Sequence, residues 1–351
     1  MKHRLRIGLI GCGGFSTHFV PYLLKEMDVV ALCDPDQQNT SRLAAEYELE
    51  AQCYSDHRRM VDDGGLDAVA ITAPNFAHCE LTCAAAEAGL HVYCEKAMAR
   101  TVPECWQMVR ACQSNHVKLM VGHKRRLRPP WARMIELTDQ AALGRPLTIT
   151  VCEYCDEREF EFYQSWWGDP SLSGGFFHMH GVHVIDWLRA MCGDAVRVMA
   201  IHGPQHDSRY KFPDIWHATF EFESGALASI NGSLAYPLHR FRESQGPWGE
   251  CTQGAFKMVP YLDHIDLYWH KIDESAPHHE RFDDLGHAHA FAQEVGDFAR
   301  WITEDEFPCL TWIEGLRCVE LMEAAYCSAE ASGDPVSLPL YPELETAPAV
   351  P

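Results

Sequence analysis

A glycine-rich turn between a buried strand and a helix constrains this chain more than any other feature of its sequence. The apolar run Arg6–Ile10 leads into GCGGFS, which begins at Gly11 and has the spacing G-x-G-x-x-S. Gly11 permits a tight turn, and Gly13 lets the backbone approach a pyrophosphate whose charge meets the N-terminus of the next helix. The final serine departs from the usual glycine or alanine but is also small. The pattern therefore predicts a dinucleotide site at Gly11, Gly13, Gly14 and Phe15.

A carboxylate follows the second predicted strand at the position where a dinucleotide site needs one. Asp34 ends the strand Val29–Cys33, about 20 residues past the glycines. It can accept hydrogen bonds from both ribose hydroxyls and would repel a 2′-phosphate, and no arginine follows it directly. We therefore expect NAD as the cofactor, with NADP less favoured. The alternative interpretation is a glycine turn and an Asp-Pro turn in an unrelated α/β fold.

The first 125 residues alternate short apolar strands with helices. The predicted strands are Arg6–Ile10, Val29–Cys33, Leu66–Thr72, His91–Cys94 and Lys118–Gly122. Helices are predicted between them, including Leu81–Ala88 and Val102–Cys112, and Thr101 with Glu104 forms a capping box for the latter. This alternation is typical of a doubly wound parallel sheet, so residues 1–125 are predicted to form a Rossmann domain.

The pattern changes after about residue 145, where antiparallel strand signals appear. The predicted strands are Leu147–Glu157, a hairpin of Trp216–Glu223 and Ala226–Leu234, then Ala255–Val259 and Ile265–His270. The predicted helices are Gly181–Met191, Ala288–Ile302 and Thr311–Ser332. We expect an α+β domain over residues 126–340 with a mainly antiparallel sheet, followed by an extended, proline-rich tail over residues 341–351.

Charge and cysteine usage exclude several classes of partner and site. The net charge of −21 opposes binding to nucleic acid or to an anionic membrane, since both require a cationic surface. The basic start leads into a short apolar run that glycine interrupts, which does not fit a secretion signal, so a cytoplasmic protein is expected. The fifteen cysteines are scattered, and Cys152 and Cys155 lack the second pair that a zinc ribbon needs. They are expected to be reduced, mostly buried thiols.

Four stretches, in order along the chain, resemble the Gfo/Idh/MocA family of oxidoreductases. They read GLIGCGGF, TAPNFAHCELTCAAAEAGLHVYCEKAMA, VGHKRRLRPPW and SGGFFHMHGVHVIDWL. The resemblance covers almost the whole chain. It implies an N-terminal Rossmann domain and a C-terminal domain with an open-faced sheet. It also implies hydride transfer at a hydroxyl or carbonyl of a sugar or cyclitol, in homodimers or homotetramers formed through that sheet.

The resemblance assigns roles to residues of the first domain. The family's Glu-Lys-Pro is Glu95-Lys96-Ala97 here, and Lys96 matches the lysine that contacts the reacting hydroxyl. An ammonium there would stabilise a developing alkoxide or polarise a ketone. Ala97 replaces the proline, which puts any special backbone geometry of that proline in doubt. Cofactor contacts are also expected from Glu95, Lys96, Asn75 and His78.

The second domain carries the histidine cluster His178, His180 and His183. His183 matches the family's acid/base histidine, but Met179 stands where the family has an aspartate. The partner that orients His183 is therefore left open between His180, Asp186 and Lys96. His178 and His180, which flank Met179, are expected to bind substrate and to take over part of the missing role.

Other interpretations of the cluster stay open. Three imidazoles could hold a zinc ion with an open position, with His178 in a loop before the helix, although we assign no metal. Arg126 is expected either to bind substrate or to form a structural ion pair, and Trp166 either to stack on a sugar or to pack in the core. Asp186 and Arg189, three apart on one helix, are expected to form a salt bridge.

These observations predict an NAD-dependent oxidoreductase that acts on a sugar, cyclitol or related polyol. Two alternatives keep the same cofactor site. One is an enzyme that cleaves glycosides by transient oxidation, elimination and reduction, and the other is an NAD-binding protein without catalysis.

Overall fold

The computed structural model describes residues 4–139, 142–154, 165–235, 246–283 and 286–344. The predicted continuation of a strand past residue 154, Cys155 of the Cys152 pair and most of the proline-rich tail lie outside these residues. The chain divides into two compact units. The first comprises Met1–His123, Phe291–Leu316 and Glu343–Pro351, and the second comprises Lys124–Ala290 and Arg317–Pro342.

The first unit contains a parallel sheet of six strands. They are β1 (Arg6–Ile10), β2 (Asp28–Cys33), β3 (Gln52–Tyr54), β4 (Ala68–Ile71), β5 (His91–Glu95) and β6 (Leu119–Gly122). Their order is β3-β2-β1-β4-β5-β6. Strands β4 and β6 are buried along their whole length, as expected for a parallel sheet covered on both faces. This order has its switch point beside β1, where such sheets bind dinucleotides.

Helices connect these strands. They are α1 (Gly14–Glu26), α2 (Gln37–Glu46), α3 (His57–Asp62), α4 (His78–Glu87) and α5 (Val102–Ser114). The hydroxyl of Thr101 accepts from the Glu104 amide at 3.3 Å, as the capping box predicts. The Glu104 carboxylate, however, accepts from the amide of Arg100 rather than that of Thr101. The predicted helix start is confirmed, and the reciprocal bond is shifted by one residue.

The second unit contains a nine-stranded sheet. Its strands are β7 (Pro146–Tyr154), β8 (Ala195–His202), β9 (Ile215–Phe222), β10 (Leu227–Ser233), β11 (Gly246–Cys251), β12 (Gly254–Pro260), β13 (Ile265–Lys271), β14 (His278–Phe282) and β15 (Val336–Ser337). Their order is β14-β13-β12-β11-β7-β10-β9-β8-β15. Only β7 and β10 pair in parallel among these described strands. In β9 and β10 buried residues alternate with more exposed ones, so one face of the sheet covers the core.

The remaining helices are α6 (Pro129–Asp139), α7 (Pro170–Ser173), α8 (Val182–Cys192), α9 (His287–Glu304) and α10 (Trp312–Glu330). Trp187 on α8 is fully buried in the core of the second unit. Its indole N–H donates to the Trp131 carbonyl at 3.2 Å, and the two rings meet edge to face at 5.1 Å. This contact fixes α8 against α6 and so holds the segment that carries the histidines.

The predicted fold class is confirmed, and two details differ from the prediction. Residues 291–316 belong to the first unit, whereas the sequence suggested a division at a single point. The prediction also omitted β3, β8, β11, β14 and β15. Strand β3 has only three residues, and β11 contains glycine and proline, which have weak strand propensity.

No helix in the described part of the chain is long and apolar enough to cross a membrane. The cysteines within the described ranges are all free thiols, and nine of them are buried. Their burial agrees with the expectation of reduced thiols that pack as small apolar side chains.

Candidate functional site

The glycine turn has the geometry that the sequence predicts. Gly11 adopts φ +94°, a left-handed conformation that side chains rarely tolerate. Its amide donates to the Cys33 carbonyl at 2.8 Å, and a Cβ at Gly11 would overlap the backbone of Ala73. Both the backbone angle and the close approach of the loop after β4 therefore require glycine at this position.

The start of α1 leaves its backbone accessible. Gly13 is the N-cap of α1, and a Cβ on Gly13 or Gly14 would meet no atom within 4 Å. The Ser16 hydroxyl, buried behind the turn, donates to the Gly13 carbonyl at 2.6 Å. Phe15 packs on Phe19 at 6.1 Å between ring centroids and so anchors the first turn. The open backbone at a helix N-terminus fits a pyrophosphate.

Substitution of Gly11 by alanine is expected to remove NADH binding and to destabilise the first unit by about 1–3 kcal/mol, because φ is positive and Ala73 leaves no room. Fluorescence titration with NADH and chemical denaturation measure the two effects. Gly14→Ala is the matched comparison, since it should fold normally and weaken NADH binding only if the pyrophosphate approaches this backbone. Normal NADH affinity in Gly11→Ala would contradict the assignment.

Asp34 connects the end of β2 to the glycine turn. One carboxylate oxygen accepts from the Cys12 amide at 2.8 Å, and the other accepts from the Asp36 amide at 2.9 Å and from Asn39 at 3.2 Å. Asp34 is half-buried, so the orientation that a ribose requires is fixed by the protein. The sequence did not single out Arg42, whose guanidinium donates to the Cys12 carbonyl at 2.8 Å.

His78 joins two loops of the parallel sheet. Its ring nitrogens lie 2.8 Å from the Ala73 carbonyl and 2.9 Å from the Ala97 carbonyl, and the side chain is buried. Burial lowers the pKa of His78 in spite of these carbonyls, so the neutral ring is favoured at neutral pH. Asn75, also buried, begins the 3-10 turn that precedes α4. His78 therefore holds the chain directly after Lys96.

Lys96 follows the carboxyl end of β5, the edge where ligands bind in such sheets. Its side chain is half-buried, and its amide donates to the Glu95 carboxylate at 3.2 Å. The Lys96–Ala97 peptide bond is cis, although alanine stands in the place of the family's proline.

The three histidines lie on one continuous helical segment. A π-helical turn, Phe177–Gly181, runs directly into α8. The expectation that His178 lies in a loop was wrong, because this turn includes it. His178 is buried, and its ring stacks on Tyr326 at 6.0 Å with an angle of 6° between the planes. These contacts are those of a packed side chain.

His180 and His183 are only half-buried. The ring of Trp167 lies 6.3 Å from that of His180, and Trp166 lies 5.4 Å from Trp167. The two tryptophans, in a 3-10 turn, are half-buried as well. The second unit therefore presents His180 next to aromatic rings, with the half-buried His183 on the same helical segment, a combination suited to a hydroxylated ring.

Arg126 and Asp186 form a buried ion pair. The Arg126 Nε donates to Asp186 at 2.7 Å, and a terminal nitrogen donates to the other carboxylate oxygen. Asp186 is fully buried and Arg126 is 11% exposed. Arg126 was expected either to bind substrate or to form a structural ion pair, and the structure contains the ion pair. The expected Asp186–Arg189 pair was wrong, because Arg189 binds Asp194 at 2.6 Å.

A second buried pair lies in the same unit and was not predicted. Arg125 binds both carboxylate oxygens of Glu153, at 2.8 and 2.6 Å. Burial by itself would raise the pKa of Glu153, but the charge of Arg125, assisted by His180 and Arg128, holds that pKa below its usual value. Glu153 therefore stays ionised, and it is a carboxylate within the electrostatic reach of His180.

The Glu153 pair should make the second unit sensitive to acid. A carboxylate with a lowered pKa stabilises the fold above its usual pKa, about 4.3, and this contribution is lost as the pH falls further. We expect Glu153→Gln to cost about 1–3 kcal/mol at pH 7 and progressively less below pH 4. Denaturation across this pH range tests it, with Glu223→Gln in an exposed turn as the control. A constant difference at all pH values would contradict the assignment.

Within the described residues, the three histidines do not bring three ligating atoms within 4.8 Å of one another. The zinc interpretation therefore gains no geometric support from this conformation.

A parallel sheet of this order with this glycine turn defines a dinucleotide-binding protein. Two family models match the chain: the oxidoreductase family with an NAD-binding Rossmann fold over residues 5–123, and the GFO/IDH/MocA C-terminal domain over residues 131–248. The chain belongs to the Gfo/Idh/MocA oxidoreductase family.

Named relatives extend this result. The chain is 26% identical to the uncharacterized oxidoreductase YrbE of Bacillus subtilis, over 96% of this chain and 98% of that protein. It is 26% identical to an inositol 2-dehydrogenase/D-chiro-inositol 3-dehydrogenase of Lactiplantibacillus plantarum, over 64% of this chain and 63% of that protein. The WlbA dehydrogenase of Bordetella pertussis, solved with NADH and UDP-GlcNAcA, has a TM-score of 0.81 at 25% identity, over 96% of this chain and all of that one.

Proposed function

We propose that this protein is an NAD-dependent dehydrogenase that transfers hydride between nicotinamide and a hydroxyl or carbonyl of a sugar, cyclitol or related polyol. The observation that carries the proposal is the glycine turn, in which Gly11 is sterically required and the backbone at Gly13 and Gly14 is open. A relative named as an inositol dehydrogenase and a dehydrogenase solved in complex with UDP-GlcNAcA support the substrate class.

Each candidate residue has a chemical role in this proposal. NAD supplies the hydride acceptor when it is bound. The Lys96 ammonium stabilises the negative charge that develops on the substrate oxygen, and His183 accepts the hydroxyl proton. His180 and Trp166 bind the substrate ring. His178, by contrast, is buried against Tyr326, so its proposed part is to hold the π-helical turn in place.

Glu153 supports the role of the histidines at Met179, the position where the family has an aspartate. Met179 is buried and apolar and cannot orient an imidazole. Glu153 is an ionised carboxylate whose charge interacts with His180. We therefore place the replacement for the missing aspartate on strand β7, where it balances positive charge on the histidine segment.

The cofactor preference follows from Asp34. Its fixed carboxylate matches two ribose hydroxyls and disfavours a 2′-phosphate, although Arg42 binds the same turn. Contacts of Glu95, Asn75 and His78 with the cofactor belong to the proposal as well. NADH is therefore expected to bind more tightly than NADPH.

The exposed face of the nine-stranded sheet supports assembly as a homodimer or homotetramer. It carries large apolar side chains that remain more than a third exposed: Met199, Ile201, Leu227, Trp248 and Tyr268. Such surfaces are typical of sites that another chain covers. Light scattering of the purified protein measures this. The cysteine usage supports a reducing, cytoplasmic compartment.

The test is incubation with NAD and a panel of cyclitols, sugars and glycosides, with NADH fluorescence and product analysis recorded together. Substrate-dependent formation of NADH supports the dehydrogenase. Cleaved glycoside without net NADH would favour the oxidation–elimination–reduction alternative. Tight NADH binding without turnover across the panel would favour a binding protein.

A further inference from the structure

Two cysteines of the first unit lie one helical turn apart, and the proposed mechanism uses neither of them. Cys79 and Cys83 lie on α4, and both are free thiols. Cys79 is 9% exposed, whereas Cys83 is half-buried and can be reached from solvent. Residues four apart on a helix are neighbours on one face, and the two sulfur atoms hydrogen-bond each other. The two side chains therefore form a dithiol.

The surroundings of the two sulfur atoms differ. The Cys79 Sγ lies 3.6 Å from the Glu104 carbonyl oxygen, which accepts a hydrogen bond from a thiol but repels a thiolate. Cys83 lies next to the side chain of Gln107 on α5 and hydrogen-bonds it. An amide can donate to a thiolate. These contacts favour a protonated Cys79 and an ionised Cys83.

The acidities of the two thiols follow these contacts. The hydrogen bond from Cys79 lowers the pKa of Cys83, and the bond from Gln107 adds to this effect, while burial and the charge of Glu87 oppose it. The bond to Cys83, together with burial, holds the pKa of Cys79 well above its usual value. Burial also raises the pKa of Cys12, Cys33, Cys94, Cys112, Cys192 and Cys251. Since the thiolate is the reactive form, Cys83 differs from these buried thiols.

We infer that Cys79 and Cys83 form a site of thiol oxidation, at which a hydroperoxide converts the dithiol into a disulfide and so weakens NADH binding. In the first step the Cys83 thiolate attacks the hydroperoxide ROOH. A sulfur–oxygen bond forms, the oxygen–oxygen bond breaks, and the departing RO⁻ takes up a proton from solvent as ROH. Cys83 is then a sulfenic acid.

Cys79 completes the reaction. Its sulfur attacks the sulfenic sulfur of Cys83, so that the sulfur–sulfur bond forms and the sulfur–oxygen bond breaks. The hydroxide that leaves takes the Cys79 proton and becomes water. Together the two cysteines lose two electrons, and the hydroperoxide is reduced to ROH and water.

Helix geometry permits this disulfide but makes it deform α4. Residues four apart on a helix have Cα atoms about 6.2 Å apart, which lies within the range of about 4.4–6.8 Å for disulfides. Their Cβ atoms are about 5–6 Å apart and must approach to about 3.8 Å. The first turns of α4 must therefore contract when the bond forms.

The start of α4 is connected to the glycine turn. His78 precedes Cys79 directly, and its ring nitrogens lie 2.8 Å from the Ala73 carbonyl and 2.9 Å from the Ala97 carbonyl. The backbone of Ala73 in turn leaves no room for a side chain at Gly11. Contraction of α4 is thus expected to displace this turn. The effect on NADH rests on the proposed function, whereas formation of the disulfide does not.

The direct test is treatment of the reduced, full-length protein with hydrogen peroxide, followed by alkylation before and after dithiothreitol and by mass spectrometry. A Cys79–Cys83 disulfide that dithiothreitol reverses is expected. Cys53→Ser, which removes an exposed thiol on β3, is the control and should form the same disulfide. Absence of this disulfide, or a bond from α4 to Cys105 on α5 in its place, would overturn the inference.

Two substitutions separate the steps. Cys79→Ser should stop at a sulfenic acid on Cys83, which dimedone labels, and Cys83→Ser should leave Cys79 unoxidised. Oxidation of Cys79 in Cys83→Ser would contradict the assigned order. If these variants fold poorly, the pH dependence of alkylation of Cys83 in the wild type decides. Its midpoint should lie below that of an ordinary thiol, about 8.5, and a higher midpoint would overturn the inference.

The effect on the cofactor has its own readout. The disulfide is expected to raise the NADH dissociation constant about 5- to 150-fold, the usual range for coupled sites, and dithiothreitol should restore it. Cys83→Ser treated with peroxide should keep its NADH affinity. Unchanged affinity after the disulfide has formed would overturn the coupling to the cofactor site. Failure of the reduced protein to bind NADH would instead contradict the proposed function.

Discussion

Replacement of Lys96 by alanine is expected to lower kcat/KM for the physiological substrate by about 100- to 10,000-fold. The ammonium has no effect on the fold comparable to this loss, because the side chain is half-buried at the end of β5 rather than part of the core. The positive charge of Lys96 acts on the substrate oxygen, which becomes negative as the order of its carbon–oxygen bond changes during hydride transfer. Binding of NADH should change less than threefold, since the glycine turn and Asp34 are unaffected.

Steady-state kinetics with NADH fluorescence and a separate NADH titration measure these two effects. Lys25→Ala, an exposed lysine on α1, is the matched control and should behave as the wild type. A Lys96→Ala enzyme with more than a tenth of the wild-type kcat/KM would show that another group stabilises the developing charge. A loss of NADH binding as large as the loss of rate would assign Lys96 to the cofactor instead.

Replacement of Asp186 by asparagine is expected to cost about 3 kcal/mol of stability in the second unit. The substitution keeps the shape but removes the charge that balances the Arg126 guanidinium, which is itself 11% exposed. A buried charge without its partner is among the most destabilising changes that a single substitution can produce. Denaturant unfolding followed by tryptophan fluorescence reports on this region, since Trp187 lies next to Asp186 on α8.

Two comparisons make this result specific. Asp283→Asn removes a partner of Arg281 at the surface, where the carboxylate is 79% exposed, and should cost less than about 1 kcal/mol. The double substitution Arg126→Met, Asp186→Leu should recover most of the loss, because it removes both charges together. A cost below 1 kcal/mol for Asp186→Asn would mean that solvent reaches Arg126 when the aspartate is lost.

The ion pair also bears on the histidine segment. The sequence left Asp186 open as the group that orients His183, but in the folded chain Asp186 binds Arg126. Glu153, which lies on β7 and holds Arg125, is a carboxylate whose charge interacts with His180. Both pairs join neighbouring residues of one basic run, Arg125 and Arg126, to different elements of the second unit.

Local stereochemistry explains what could be predicted at the glycine turn and along the first sheet. Small residues in the sequence indicate three local features of this turn. These are the positive φ at Gly11, the close approach of backbones and the helix that starts at Gly14. Alternation of apolar strands with helices predicted a parallel sheet and five of its six strands, while the three-residue β3 was missed. The polar strand β14 and the glycine-containing β11 lack such a pattern, so they were missed.

The sequence by itself determined the family, the dinucleotide turn and the fold class, because each depends on residues that are close together along the chain. Only the tertiary structure decided which charged groups meet. Arg126 binds Asp186 across 60 residues, and Tyr93 meets Glu294 across 201. Many acidic residues could pair with any given arginine or tyrosine by composition alone. Packing selects among them, because burial penalises every arrangement in which a charge lacks its partner.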